Sequence, residues 1–268
     1  LYVGGNETLV GGAATLNIGN YGQIEIDQSL TVVPGSYVTV GTSSTDGTLT
    51  VRNTLRVHTG ASLTVGSAGN VNANTLDLAG GGTLLTSGNS TVRTNFLAGF
   101  GSSLTINGNF GVGWPGGANL GNVAFTSGQN LAVTGVLYLG AGVPGTLTLA
   151  NGGTAQIGQA RIGDGGGTGT LIVTRTGSTL TQNGDLYVGY FSAGSVGSVR
   201  IDVGGTVLGN NRAAFVGSGI GTAGAALVNN AGSSWTGLNA LYVGGNSAGA
   251  GGTGMLTIAD TAEVGAAS

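Results

Sequence analysis

The chain is built from apolar-x-apolar triplets closed by glycine: Leu137-Tyr138-Leu139-Gly140, Ala160-Arg161-Ile162-Gly163, Leu186-Tyr187-Val188-Gly189, Ala214-Phe215-Val216-Gly217, Leu241-Tyr242-Val243-Gly244 and Ala262-Glu263-Val264-Gly265. In each triplet two aliphatic residues share one face and the middle residue takes the other, the period of two of an extended strand. The closing glycines, at positions 140, 163, 189, 217, 244 and 265, follow one another at similar but unequal steps. Each of the first five triplets is followed by a glycine-rich stretch and a second strand signal, at Leu147-Thr148-Leu149, Leu171-Ile172-Val173, Val199-Arg200-Ile201, Ala226-Leu227-Val228 and Leu256-Thr257-Ile258. A third segment places Ala155, Leu180, Val207 and Trp235 at matching positions. The pattern predicts units of three short strands separated by turns.

The first half has the same construction with shorter units. Asn53-Thr54-Leu55, Asn74-Thr75-Leu76 and Asn95-Phe96-Leu97 recur at a constant step, and Gly41, Gly66, Gly88, Gly108 and Gly128 recur at nearly the same one. Positions 1–136 therefore read as coils of about 20–25 residues and 137–268 as coils of about 21–28 residues, both within the range of solenoid repeats. They form one continuous unit, with the change near Trp114-Pro115-Gly116-Gly117.

A three-residue strand cannot bury its apolar side alone. Stacking copies at about 4.8 Å builds a continuous interior, with backbone ladders between successive coils. The expected fold is all-β: a parallel β-helix, or β-solenoid, of roughly eleven or twelve coils, right-handed by the general rule for parallel crossovers, about 50 to 60 Å long. Glycine and asparagine at the strand ends supply corner conformations at least steric cost. The register fills the interior with Leu137, Leu139, Ile162, Leu186, Val188, Val216, Leu241, Val243 and Val264. It stacks Tyr138, Arg161, Tyr187, Phe215, Tyr242 and Glu263 outside, a mostly aromatic ladder open to water.

Composition agrees. Glycine supplies 58 of 268 residues, about three times the usual ~7%, and charged residues are 6% against a usual ~25%. A 40% hydrophobic share spread along the chain argues against disorder, and three prolines without a three-residue glycine period exclude collagen. Seven arginines against ten carboxylates give a net charge of -3, with no basic stripe for nucleic acid or a membrane surface. No apolar run reaches the ~20 residues of a membrane-spanning helix. Cysteine is absent, which excludes disulfides and thiolate sites. No cofactor is expected.

Leu1-Tyr2-Val3-Gly4-Gly5-Asn6 recurs letter for letter as Leu241-Tyr242-Val243-Gly244-Gly245-Asn246, and Leu16-Asn17-Ile18 and Ile24 match Leu256-Thr257-Ile258 and Val264 at the same offset. Solenoids usually carry polar caps. A chain that opens and closes within a repeat is expected to be a segment of something longer, or to add copies of itself end to end.

Asn183-Gly184-Asp185-Leu186-Tyr187-Val188-Gly189, Gly232-Ser233-Ser234-Trp235-Thr236 and Gly254-Met255-Leu256-Thr257-Ile258 resemble the repeat associated with type V secretion (autotransporter) and PEP-CTERM surface proteins, over about positions 137 to 265. The first half resembles an autotransporter passenger more generally. The resemblance implies extracellular display in adhesion, stalk or matrix roles and carries no catalytic residues.

Four constellations are candidates for chemistry. Glu25 and Asp27 alternate on one outer face about 7 Å apart, the spacing of an inverting glycosidase pair, but read more simply as a solvated strand face. Arg56 and His58 share a face, and the constant step of the first half sets Asp77 above Arg56; this reads as a vertical ion pair rather than a lyase site. Gly163-Asp164-Gly165-Gly166-Gly167-Thr168-Gly169 lacks the tandem aspartates of a calcium array and the lysine and helix of a phosphate loop, and reads as a corner. The ladder of Tyr138, Arg161, Tyr187, Phe215 and Tyr242 is the best surface for contact with glycans or with host or matrix proteins. Outward threonines, as in Thr146-Leu147-Thr148, raise ice binding, which variable coil length disfavours. The expected function is a non-enzymatic extracellular bacterial solenoid, as stalk, adhesin passenger or filament subunit. The alternative is a polysaccharide lyase or hydrolase on the same scaffold.

Overall fold

The computed structural model describes residues 2–3, 7–9, 14–42, 45–79, 82–113 and 121–266, with side chains from residue 14 onward. The Trp114-Pro115-Gly116-Gly117 segment and most of the opening Leu1–Asn6 motif lie outside them. Among the described residues there is no helix, and every strand pairing but one is parallel. The exception is a two-residue hairpin, Gly245–Asn246 against Gly249–Ala250.

One column orders the whole molecule. Tyr2, Glu25, Thr50, Asn72, Arg93, Gly111, Tyr138, Arg161, Tyr187, Phe215 and Tyr242 are directly paired from each strand to the next. Ten turns separate Tyr2 from Tyr242, about 48 Å at the spacing of paired strands, and a partial turn follows. The chain is a parallel β-solenoid of about ten turns. It has fewer than the expected eleven or twelve because Ala262-Glu263-Val264-Gly265 is not a rung of this column. Glu263 pairs with Ser234 and Val264 with Trp235, so this last triplet extends a different face.

Three faces enclose the interior of the second half. The first carries the Leu-Tyr-Val column. The second is a six-stranded sheet, Gly121–Thr126, Gly145–Ala150, Thr168–Thr174, Val196–Asp202, Ala223–Val228 and Thr253–Ile258. The third sets Leu131, Ala155, Leu180, Val207 and Trp235 above one another. In the first half the third face continues through Thr15–Ile18, Tyr37–Val40, Ser62–Val65 and Thr83–Thr86, and Leu30, Leu55, Leu76 and Leu97 stack on the leg between.

Most inward residues of the alternating strands from Val32 to Val228 are enclosed, with Leu84 and Leu97 only partly so, and each fully buried aliphatic side chain stabilises the fold by roughly 1.5–3 kcal/mol. Volume is balanced within a coil. Trp235, 0% exposed, shares its turn with Ala214 and Ala226, small residues at positions where neighbouring coils place leucine or valine. Enclosure weakens at the last rung. Val243, expected in the interior, is 46% exposed, and Leu241 and Val264 are half-buried, because among the described residues no further rung of the column stacks on Leu241–Val243.

The motif glycine has two reasons to be glycine. At Gly189 the backbone turns the corner with φ +74°, and a β-carbon there would lie 2.3 Å from the Ala223 carbonyl oxygen of the next coil. Gly197 closes the same corner from the other side, where a β-carbon would lie 2.2 Å from the Gly189 nitrogen. The corner is as tight as two backbones permit.

Candidate functional site

The outward column changes character along the rod. In the first half it is polar: Glu25, Thr50, Asn72 and Arg93. Arg52 joins both carboxylates of the Glu25/Asp27 pair, bonding the Glu25 carboxylate and placing Nε 3.2 Å from Asp27 Oδ1. Arg56 Nε donates to Asp77 Oδ2 at 2.7 Å across one coil, in the register that the constant step specifies. His58 sits at the next corner, with its backbone N–H on the Val32 carbonyl. The Arg93 stem lies over Gly111, which leaves that rung without a side chain of its own. Burial lowers the Arg93 guanidinium from its ordinary value, and the Tyr138 phenol opposes the shift.

From Tyr138 onward the column becomes aromatic. The Arg161 guanidinium lies 5.5 Å from the Tyr138 ring centre and 4.4 Å from that of Tyr190. It also donates to Gln159 Oε1 and comes within 3.7 Å of Asp164 Oδ2. Asp164 in turn accepts from the N–H groups of Gly165 and Gly167, so the glycine-rich segment is a self-capped corner joining the first face to the second. Tyr187, Phe215 and Tyr242 then stack, with ring centres 4.8 and 5.0 Å apart and planes within 7° and 6° of parallel. In-register parallel strands impose this spacing, since identical positions repeat at the strand separation.

The stacking corrects one part of the sequence-based expectation. The rings are outside the barrel wall, but they cover each other's flat faces and offer water mainly their edges. Phe215, in the middle, is only 9% exposed, while Tyr138, Arg161, Tyr187 and Tyr242 are half-buried. Glu263, expected as the sixth rung, is not in the column. The Tyr187 hydroxyl donates to Asp185 Oδ2 at 3.4 Å, and the other oxygen of that carboxylate accepts the Ala213 N–H. Burial first, and the neighbouring carboxylate second, raise the Tyr187 phenol above its ordinary value.

Beside the stack, residues outside the repeat pattern build a recess. The corner segments 189–195, 217–222 and 244–252 are longer than 140–144 and 163–167, and they rise next to the aromatic column. Tyr190 packs edge-on against Tyr187 at 4.7 Å, and Phe191 lies 5.9 Å beyond it. Phe191 has φ +47°, a left-handed conformation that costs a bulky residue about 1–3 kcal/mol, and its side chain is 76% exposed. Sequence reasoning passed over Tyr190, Phe191 and Ile220 because they interrupt no alternation. The available signal was two adjacent aromatics inside a Gly/Ser corner, where turn chemistry asks for neither.

No protein-family model and no curated protein sequence matches the chain. Among solved structures it is similar to a hyper-glycosylated fragment of TibA, residues 55–350, glycosylated by TibC, with 17% identity over 97% of each chain and a TM-score of 0.29. The fold rests on the strand register itself.

Proposed function

We propose that this chain is the rod of an extracellular bacterial surface protein, a non-enzymatic stalk or adhesin passenger of the autotransporter and PEP-CTERM repeat type. The carrying observation is the unbroken column of ten parallel pairings, which uses nearly every motif residue to propagate the rod. The charged groups support the non-enzymatic part: Glu25 and Asp27 are tied to one guanidinium, and Arg56 and Asp77 to each other. A rod of this kind holds a contact surface away from the cell. The partners that suit it are surface glycans, host or matrix proteins, and further copies added end to end.

The direct test is labelling of intact cells that make the protein with an antibody raised against residues 121–266, combined with release by external protease. Labelling only after lysis overturns the reading. Loss of polysaccharide cleavage in the Glu25→Ala, Asp27→Ala double variant would favour an enzyme instead.

A further inference from the structure

We propose that the trough formed by the three long corners beside the aromatic column is a binding site for a neutral saccharide. The proposal rests on the adhesive reading above and gives it a location and a ligand class.

Two recesses of about 290 and 420 Å³ share Phe191, Ser218, Gly219 and Asn246, and so form one continuous trough. That is the size range of small-ligand sites. Phe191 and Ile220 stand at its margin, 76% and 82% exposed. The Phe191 ring is held out by a left-handed backbone, and its base is fixed because Gly219 packs directly on it, with room for no β-carbon. Unlike the stacked rings, whose neighbours cover their faces, Phe191 keeps most of its surface in solvent. Phe191 thus presents its ring to solvent at a glycine-rich corner, at a backbone cost.

The polar groups of the trough are neutral: the Asn246 amide, the Ser218 and Ser247 hydroxyls and the Tyr187 and Tyr190 phenols. Asn246 accepts the Ala248 N–H at 2.8 Å and donates to the Ser218 carbonyl at 3.4 Å, which orients its amide. The Ser218 hydroxyl, itself largely buried, donates to the Gly189 carbonyl. Among the described residues no charged side chain lines either recess. An ionic ligand would therefore lose hydration without gaining a counter-charge, and a purely apolar segment would leave the amide and hydroxyl unmatched. A neutral pyranose meets both demands: its C–H face packs on an aromatic ring, and its hydroxyls exchange hydrogen bonds with amide and hydroxyl groups.

The test is an array of neutral hexose and N-acetylhexosamine oligosaccharides beside sialylated and sulfated ones, probed with the whole chain. Calorimetry on the tightest neutral binder follows. Wild type should bind a neutral oligosaccharide, with Phe191→Ser weakening it about tenfold or more, Asn246→Ala weakening it several-fold, and Phe191→Tyr retaining it. Tyr37→Ser, on the third face, should leave affinity unchanged. Unaltered tryptophan fluorescence checks that each variant folds, and the Phe191→Tyr comparison stands if Phe191→Ser does not. Binding to anionic glycans only, equal binding by folded Phe191→Ser, or a dimer that Phe191→Ser dissociates would each overturn the proposal. A blank array on a protein that still labels intact cells overturns the saccharide site and leaves the surface rod standing.

Discussion

Replacing Gly189 by alanine separates the two reasons for the motif glycine when it is compared with Gly177→Ala. Both positions are left-handed, with φ +74° and +84°, so each variant meets the same backbone penalty of about 1–2 kcal/mol. Their surroundings differ. At Gly177 the nearest atom to a new β-carbon is 3.5 Å away, an ordinary contact, whereas at Gly189 the Ala223 carbonyl oxygen would be at 2.3 Å and its carbon at 2.7 Å. Relief requires the next coil to retreat by several tenths of an ångström at a corner where Gly189 and Gly217 also donate to the Ile162 and Val188 carbonyls, both at 2.7 Å. Overpacking of this kind adds about 1–3 kcal/mol. Gly189→Ala should therefore cost about 2–5 kcal/mol and Gly177→Ala about 1–2 kcal/mol. Urea unfolding followed by tryptophan fluorescence reads both, because Trp235 is fully enclosed within the same stack of coils. Equal midpoint shifts for the two variants would refute close coil approach as the reason for the motif.

Phe215→Ala removes the shielded centre of the stack and should cost about 3–5 kcal/mol by the same unfolding assay; a loss below about 1 kcal/mol would mean the rings contribute little to one another. Because the folded Tyr187 phenol is raised, the folded state holds its proton above the pH at which the unfolded chain releases it. Stability from this group is thus full below pH ~10 and falls as pH rises through the higher folded value. Tyrosinate absorbance should show Tyr187 titrating late, with Asp185→Asn moving it part of the way back and burial retaining the rest. Trp235→Phe should cost less than about 1.5 kcal/mol despite the lost volume, because it also removes a buried indole N–H without a hydrogen-bond partner among the described residues. A double-mutant cycle on Arg56 and Asp77 should give a coupling of about 1 kcal/mol or less that shrinks with salt, since the arginine is well exposed.

The sequence by itself determined the solenoid, its alternating interior and the order of the outer column from Tyr138 to Tyr242, because each depends on a local period of two repeated at a longer spacing. Residue type alone showed which side of each strand faced inward, from Leu137 and Leu139 to Leu186 and Val188. The constant step of the first half likewise set Asp77 over Arg56. What only the tertiary structure decided depends on distances between coils. Phe215 is shielded because its neighbours lie one strand spacing away on both sides, a consequence that no single triplet contains. Glu263 belongs to the third face because a three-letter match cannot tell one leg of a coil from another when coil lengths vary. The trough exists because the long corners of three successive coils rise side by side, and corners follow no period that a linear reading can extend.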